Sequence, residues 1–141
     1  MKITGIGLAA LLMTSGAAFA DDPAKVMDSS AGKIWTDAHG MALYTFDKDA
    51  ASESRCFDGC AAAWPPFMAA EGAQAKDKLT LVVPKGGGMQ WAFDGKPLYY
   101  FAGDAKAGDV SGDGSGGVWH VVKTGVAEKR ATAPGYNSST Y

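Results

Sequence analysis

The sequence predicts a small, single all-β domain of two pseudo-repeated β-hairpin units with one short helical turn. Three observations lead there. The stretch "GMALYTFDKD", residues 40–49, returns as "GKPLYYFAGD", residues 95–104, so Gly-x-x-Leu-Tyr-x-Phe-x-x-Asp is written twice at an offset of 55. The register holds without a gap beyond the motif: Asp58-Gly59 falls on Asp113-Gly114, Trp64 on Trp119, Cys56 and Cys60 on Ser111 and Ser115, and His39-Gly40 on Asp94-Gly95. Such a register reads as two copies of one structural unit, too few for a solenoid, whose halves cover each other's apolar faces around a pseudo-twofold axis. The second observation is 19 glycines in 141 residues, which suits a turn-rich β protein better than a helical bundle. The third is that the apolar runs are short, aromatic or β-branched, and bounded by Gly, Pro or Asp.

The elements follow in chain order. Residues 1–20, "MKITGIGLAALLMTSGAAFA", carry Lys2 as their only charge, an apolar run from Ile6 to Met13, and the ending Ala18-Phe19-Ala20. This is the grammar of a signal peptide cleaved after Ala20, and the run is too short to cross a bilayer. A periplasmic or secreted location is expected, and the chain is not expected to be transmembrane. Residues 21–30 read as a linker. The two-repeat domain is expected over 31–125, with repeat one at about 31–70 and repeat two at about 86–125. In "GKIWTDAHGMALYTF" a strand enters at Ile34–Thr36, turns at Asp37–Gly40 and returns over Met41–Phe46. "MQWAFDGKPLYYF" does the same around Asp94-Gly95, a pair suited to a tight hairpin because both positions tolerate positive φ. A period of two puts Tyr44 with Phe46 and Tyr99 with Phe101 on one face, Leu43 and Leu98 on the other. "CAAAWPPF" predicts a helical turn that Pro65-Pro66 stops at Trp64. "LTLVV", 79–83, and "GVWHVV", 117–122, are strands, and "GDVSGDGSGG", 108–117, is a loop. Residues 126–141 form a flexible tail.

Charge excludes some partners. The chain has 13 Lys+Arg against 15 Asp+Glu, and loss of Lys2 with the leader leaves a net charge of −3. Neither nucleic acid nor an anionic membrane surface finds a basic footprint here. Export places Cys56 and Cys60 in an oxidising compartment, where a pair at this spacing forms a local disulfide.

With the motifs in view, the chain resembles the bacterial secreted-repeat family, described as predicted lipoproteins with a Tyr-x-(Phe/Trp/Tyr)-x-x-Asp motif. The residues that carry the resemblance are Tyr44-x-Phe46-x-x-Asp49, Tyr99-x-Phe101-x-x-Asp104, "CFDGCAAAWPPF" and "GDGSGGVW", across roughly residues 32–122. The resemblance implies an exported repeat protein and carries no established activity. Asp21, not cysteine, follows Ala20, so a soluble form is expected rather than a lipid-anchored one.

Candidate chemistry is sparse. His39, His120, Cys56 and Cys60 have the ligand types of a copper or zinc site, but a turn position for His39, a solvent-facing strand position for His120 and a disulfide explain all four without metal. Cys56-x-x-x-Cys60 lacks the spacing of haem attachment and of thiol-disulfide catalysis. Asp109, Ser111, Asp113, Gly114 and Ser115 resemble the first half of a calcium loop, with His120 standing where the closing Glu belongs. Asp47 and Asp49 as an acid–base pair are better read as a solvated turn. Trp35, Trp64, Trp91 and Trp119 with the two Tyr/Phe pairs fit either a ligand groove or a small core, and their duplication favours the core. The motif residues Tyr44, Phe46, Asp49, Tyr99, Phe101, Asp104, Trp64 and Trp119 are the candidate structural or binding set. No cofactor and no catalytic residue are expected. The leading expectation is a non-enzymatic binding or envelope-associated module, whose partner would be an envelope protein or a small ligand; the alternative is a metal-handling or redox accessory protein using His and Cys.

Overall fold

The computed structural model describes residues 22–124. The expected signal peptide, with its cleavage after Ala20, and the expected tail at 126–141 lie outside them. Seven short strands and one helix follow in order: β1 Ala24–Ser29, β2 Gly32–Asp37, β3 Tyr44–Phe46, α1 Gly59–Ala63, β4 Leu79–Val82, β5 Gln90–Phe93, β6 Lys96–Pro97 and β7 Trp119–Val121. A 3-10 turn over Ser115–Gly117 precedes β7. The all-β expectation is met, and α1 ends at Ala63 with Trp64 as its C-cap, ahead of Pro65-Pro66.

Each copy is an antiparallel meander. In the first, β1 pairs with β2 in the register Val26↔Trp35, and Ala42 returns against Thr36. In the second, β4 pairs with β5 in the register Leu81↔Trp91, and β6 returns through Ala92↔Pro97. Residues 21–30, expected as a linker, therefore hold a strand, β1. Its Lys25, Asp28 and Ser29 are the residues of an edge strand whose outer face meets water, and the sequence alone reads them as unstructured. The turns also differ. Asp94 (φ 52) and Gly95 (φ 79) make the tight left-handed hairpin. In the first copy's turn at Asp37–Gly40 only Gly40 has positive φ, and the wider loop closes through Asp37 N–H donating to Met41 O at 2.9 Å.

The copies are interlaced. Tyr44 and Tyr99 exchange both backbone hydrogen bonds, at 2.8 and 2.9 Å, and the pseudo-twofold axis runs between them. From there each copy sends its last segment onto the other. β7, from the second copy, pairs with β3 of the first through Tyr44↔Val121 and Phe46↔Trp119. Residues 65–67, from the first, pair with the return strand of the second: Phe67 N–H donates to Leu98 O at 2.9 Å and Tyr100 N–H to Pro65 O at 2.7 Å. The mate of the first of these, Val122 N–H to Leu43 O, is also 2.9 Å. Prolines at 65 and 66 remove two ladder donors, so this second exchange is an irregular partner of β7 rather than a strand.

Alternation along the return strands splits the core in two. Tyr44 and Tyr99 face one cluster with Ile34, Trp64, Trp119 and Val121. Leu43 and Leu98 face another with Phe67, Trp91 and Val122. Tyr44, Tyr99, Leu43 and Leu98 are all fully buried.

Candidate functional site

The return strands deliver the motif residues to the pseudo-axis. There each tyrosine meets the aspartate of the other copy. Tyr44 Oη donates to Asp104 Oδ2 at 2.7 Å, and Tyr99 Oη donates to Asp49 Oδ2 at 2.7 Å. Each hydroxyl also accepts a hydrogen bond from a loop: Tyr44 Oη from Gly112 N–H at 3.3 Å, Tyr99 Oη from Ser54 Oγ at 2.6 Å. The other carboxylate oxygens hold the same loops, Asp49 Oδ1 through Arg55 N–H at 2.6 Å and Asp104 Oδ1 through Ser111 N–H at 2.8 Å. The acceptors thus reach amides six and seven residues ahead, across whole loops rather than within a tight turn. Burial, then the carboxylate beside it, pushes the Tyr44 hydroxyl well above the ordinary phenol range. Burial does the same to Tyr99, with the Ser54 hydrogen bond opposing it and Asp49 adding to it. Burial likewise raises Asp49, against the bonds from Arg55 N–H and Tyr99.

The aromatic members form a column. Trp64 and Trp119 stack face to face at 3.9 Å between centroids, with 4° between planes. Phe46 stacks outside Trp119 at 4.3 Å, and Phe101 lies against the outside of Trp64 at 4.4 Å, tilted by 30°. Again each phenylalanine meets the tryptophan of the other copy. Tyr44 and Tyr99 abut Trp64 and Trp119 edge-on, at 5.3 and 5.2 Å. Trp91 is buried in the other cluster, and Trp35 lies half-buried against Phe93.

The remaining candidates fall apart from one another. Cys56 and Cys60 are joined as a disulfide, with Cα atoms 5.2 Å apart, across the start of α1; this takes both thiolates from any metal. His120 Nε2 lies 2.7 Å from Asp47 Oδ2, on an exposed strand position. His39 is exposed in the first hairpin loop, where its N–H donates to Asp37 Oδ1. Among the described residues no three His, Cys, Asp or Glu side chains gather as a metal site would need. In the glycine-rich loop Asp109 Oδ2 accepts the N–H groups of Ala105 and Lys106, and Asp113 Oδ1 accepts Val121 N–H. The half calcium loop is thus folded on its own backbone. Sequence reasoning did not single out Asp37, whose Oδ2 accepts the hydroxyl of Tyr100 at 2.9 Å. Its buried carboxylate also takes two amides of the hairpin loop. Position 37 in a turn is the only signal it left.

One surface feature breaks the pseudosymmetry. A cleft of ≈ 470 Å³ beside the disulfide is lined by Cys56, Phe57, Pro66, Met68, Pro84 and Lys85, among others. Phe57 and Met68 are 41% and 43% exposed, and Lys85 Nζ lies 4.1 Å from the centre of the Phe57 ring. At the offset of 55, the positions of Phe57, Met68 and Lys85 are held by Gly112, Lys123 and Ser30.

Among the described residues no helix is long and apolar enough to cross a membrane. No curated protein and no solved structure matches the chain. A family model does, twice, over residues 25–68 and 80–123. The two matches start 55 residues apart, the offset of the motif and of the mates across the pseudo-axis, and together they span more than half of the sequence. The chain belongs to the family described as "Secreted repeat of unknown function" (Lipoprotein_15).

Proposed function

We propose that this protein is an exported, non-enzymatic binding module, in which the repeated motif is the scaffold and the cleft beside the disulfide is the ligand surface. The family's description supports export. The observation that carries the reading is the one-sidedness of the cleft. Pseudosymmetry is an internal control: whatever both copies hold serves the shared fold, and whatever one copy holds alone does not follow from it. Tyr, Phe, Asp and Trp of the motif stand in both copies and engage one another. Phe57 and Met68 stand in one, exposed, where the other copy has Gly112 and Lys123. Keeping two large apolar side chains in water has no folding benefit, and contiguous exposed apolar surface marks interaction sites.

The test uses an apolar anionic dye, anilinonaphthalene sulfonate, as the probe. One saturable site is expected on the folded protein. It is lost on replacing Phe57→Gly and Met68→Lys, which install the residues of the other copy, while the melting temperature stays within a few degrees. Dye binding that survives both substitutions, or none at all, contradicts the cleft as the ligand surface.

A further inference from the structure

Resting on that reading, we propose that the occupant of the cleft is a polypeptide segment that inserts a large apolar side chain and carries a carboxylate beside it.

The cleft asks for both groups. Much of its lining is apolar: Phe57, Pro66, Met68 and Pro84, with the buried Cys56 of the disulfide among them. An inserted aliphatic or aromatic side chain removes this surface from water. Lys85 supplies the charge. Its ammonium sits over the Phe57 ring at 4.1 Å. Among the described residues the salt bridges are made by Lys33, Arg55, Lys76, His120 and Lys123, and Lys85 has no carboxylate of its own. Asp58 lines the same cleft without pairing with it. A cation already held against an aromatic face loses little on accepting a carboxylate at the rim.

The backbone supplies the reason for a peptide. Gly86 and Gly87 line the cleft together with Lys85. They have no side chains, so apart from the Gly87 amide the main chain of this turn can be reached by the polar backbone groups of a bound segment. One amide of this turn, Gly87 N–H, is taken by Pro84 O at 3.0 Å. The cleft is concave, and a bilayer surface has no side chain to place in it. The cleft joins Phe57 and Met68 of the first copy to Lys85 of the second, and the pseudosymmetry-related location has neither part of the site, with Ser30 at the position of Lys85 and Lys123 at that of Met68.

A heptapeptide library displayed on phage, panned against the purified exported protein with its disulfide intact, provides the test. Counter-selection uses the variant Phe57→Gly/Met68→Lys/Lys85→Ser, and the single Met68→Lys protein, altered at one exposed position, serves should the triple variant fail to fold. The expected result is enrichment of peptides with a large apolar residue and an Asp or Glu within two positions of it. Lys85→Ser should weaken those peptides about ten-fold or more and leave neutral apolar peptides unchanged. Enriched peptides without acidic residues, or cleft-dependent binding to phosphatidylglycerol vesicles in place of peptide, overturn this occupant and leave the dye-binding site standing. If neither dye nor peptide distinguishes the parent protein from the cleft variants, both this inference and the binding reading fall.

Discussion

The hydroxyl of Tyr44 donates 2.7 Å to a carboxylate 60 residues away, and that bond and its mate at Tyr99 are the reason for the last letter of the motif. A buried phenol needs an acceptor, and a carboxylate at the strand exit supplies one while its second oxygen ties down the loop. Tyr44→Ala and Tyr99→Ala should each destabilise by about 3–5 kcal/mol, as large-to-small changes at fully buried aromatic positions do, and by similar amounts because the two sites are equivalent; denaturant melts measure both. Asp104→Ala should cost about 1–3 kcal/mol by leaving donors without an acceptor, and more than Asp49→Ala, since Asp104 is buried and Asp49 half-exposed. Asp49 adds a pH signature. Burial raises its pKa in the folded protein, so the native state holds the proton more tightly than the unfolded one. Its contribution to stability is fully present below the ordinary carboxylate pKa and is lost as pH rises through the raised folded value. Asp49→Asn should therefore be more costly near pH 3 than at pH 7, as read by melts across that range. A cost independent of pH, or larger at pH 7, contradicts the assignment.

At the scale of elements, the loops that leave the motif solve one problem in two ways. The first copy closes the start of α1 with the Cys56–Cys60 disulfide; the second has Ser111 and Ser115 there and folds without one. Replacing both cysteines by serine should cost about 2 kcal/mol, the chain-entropy value for so short a loop, and leave near-ultraviolet circular dichroism native. The second loop packs more closely: a Cβ at Gly112 would stand 2.6 Å from Trp64 Cη2 and 2.9 Å from Phe101 Cγ. Gly112→Ala should destabilise by about 1–3 kcal/mol or more through overpacking, while Gly114→Ala, with open space around it but φ 80, should show backbone strain alone. Much at this scale is legible in the sequence. The hairpins at 34–46 and 90–101, the helical turn before Pro65-Pro66 and the strand at Leu79–Val82 each follow from periodicity and turn residues close by in the chain. β1 is not legible, because an edge strand can be as polar as a linker. The cleft is not legible either. Phe57 and Met68 are ordinary apolar letters until the fold leaves them outside, and Lys85 comes over Phe57 only through pairing 28 positions apart.

For the whole molecule, the repeat is visible in the sequence but the exchange between its copies is not, since the offset of 55 is the same whether each tyrosine finds the aspartate of its own copy or of the other. Long-range pairing decides it. β7 lies on β3 and residues 65–67 lie beside the second return strand, so each motif aspartate is carried across the axis to the opposite tyrosine. Neither copy holds its complete core alone, and residues 21–73 expressed without the rest should be unfolded by circular dichroism. The interlacing itself is tested most directly by double-mutant cycles on unfolding free energy, with Tyr→Phe and Asp→Ala substitutions at the four motif positions. The crossed pairs, Tyr44 with Asp104 and Tyr99 with Asp49, should each show coupling of about 0.5–3 kcal/mol, and the pairs within one copy, Tyr44 with Asp49 and Tyr99 with Asp104, should add to within about 0.5 kcal/mol. Coupling within each copy and additivity across the axis would contradict the exchange.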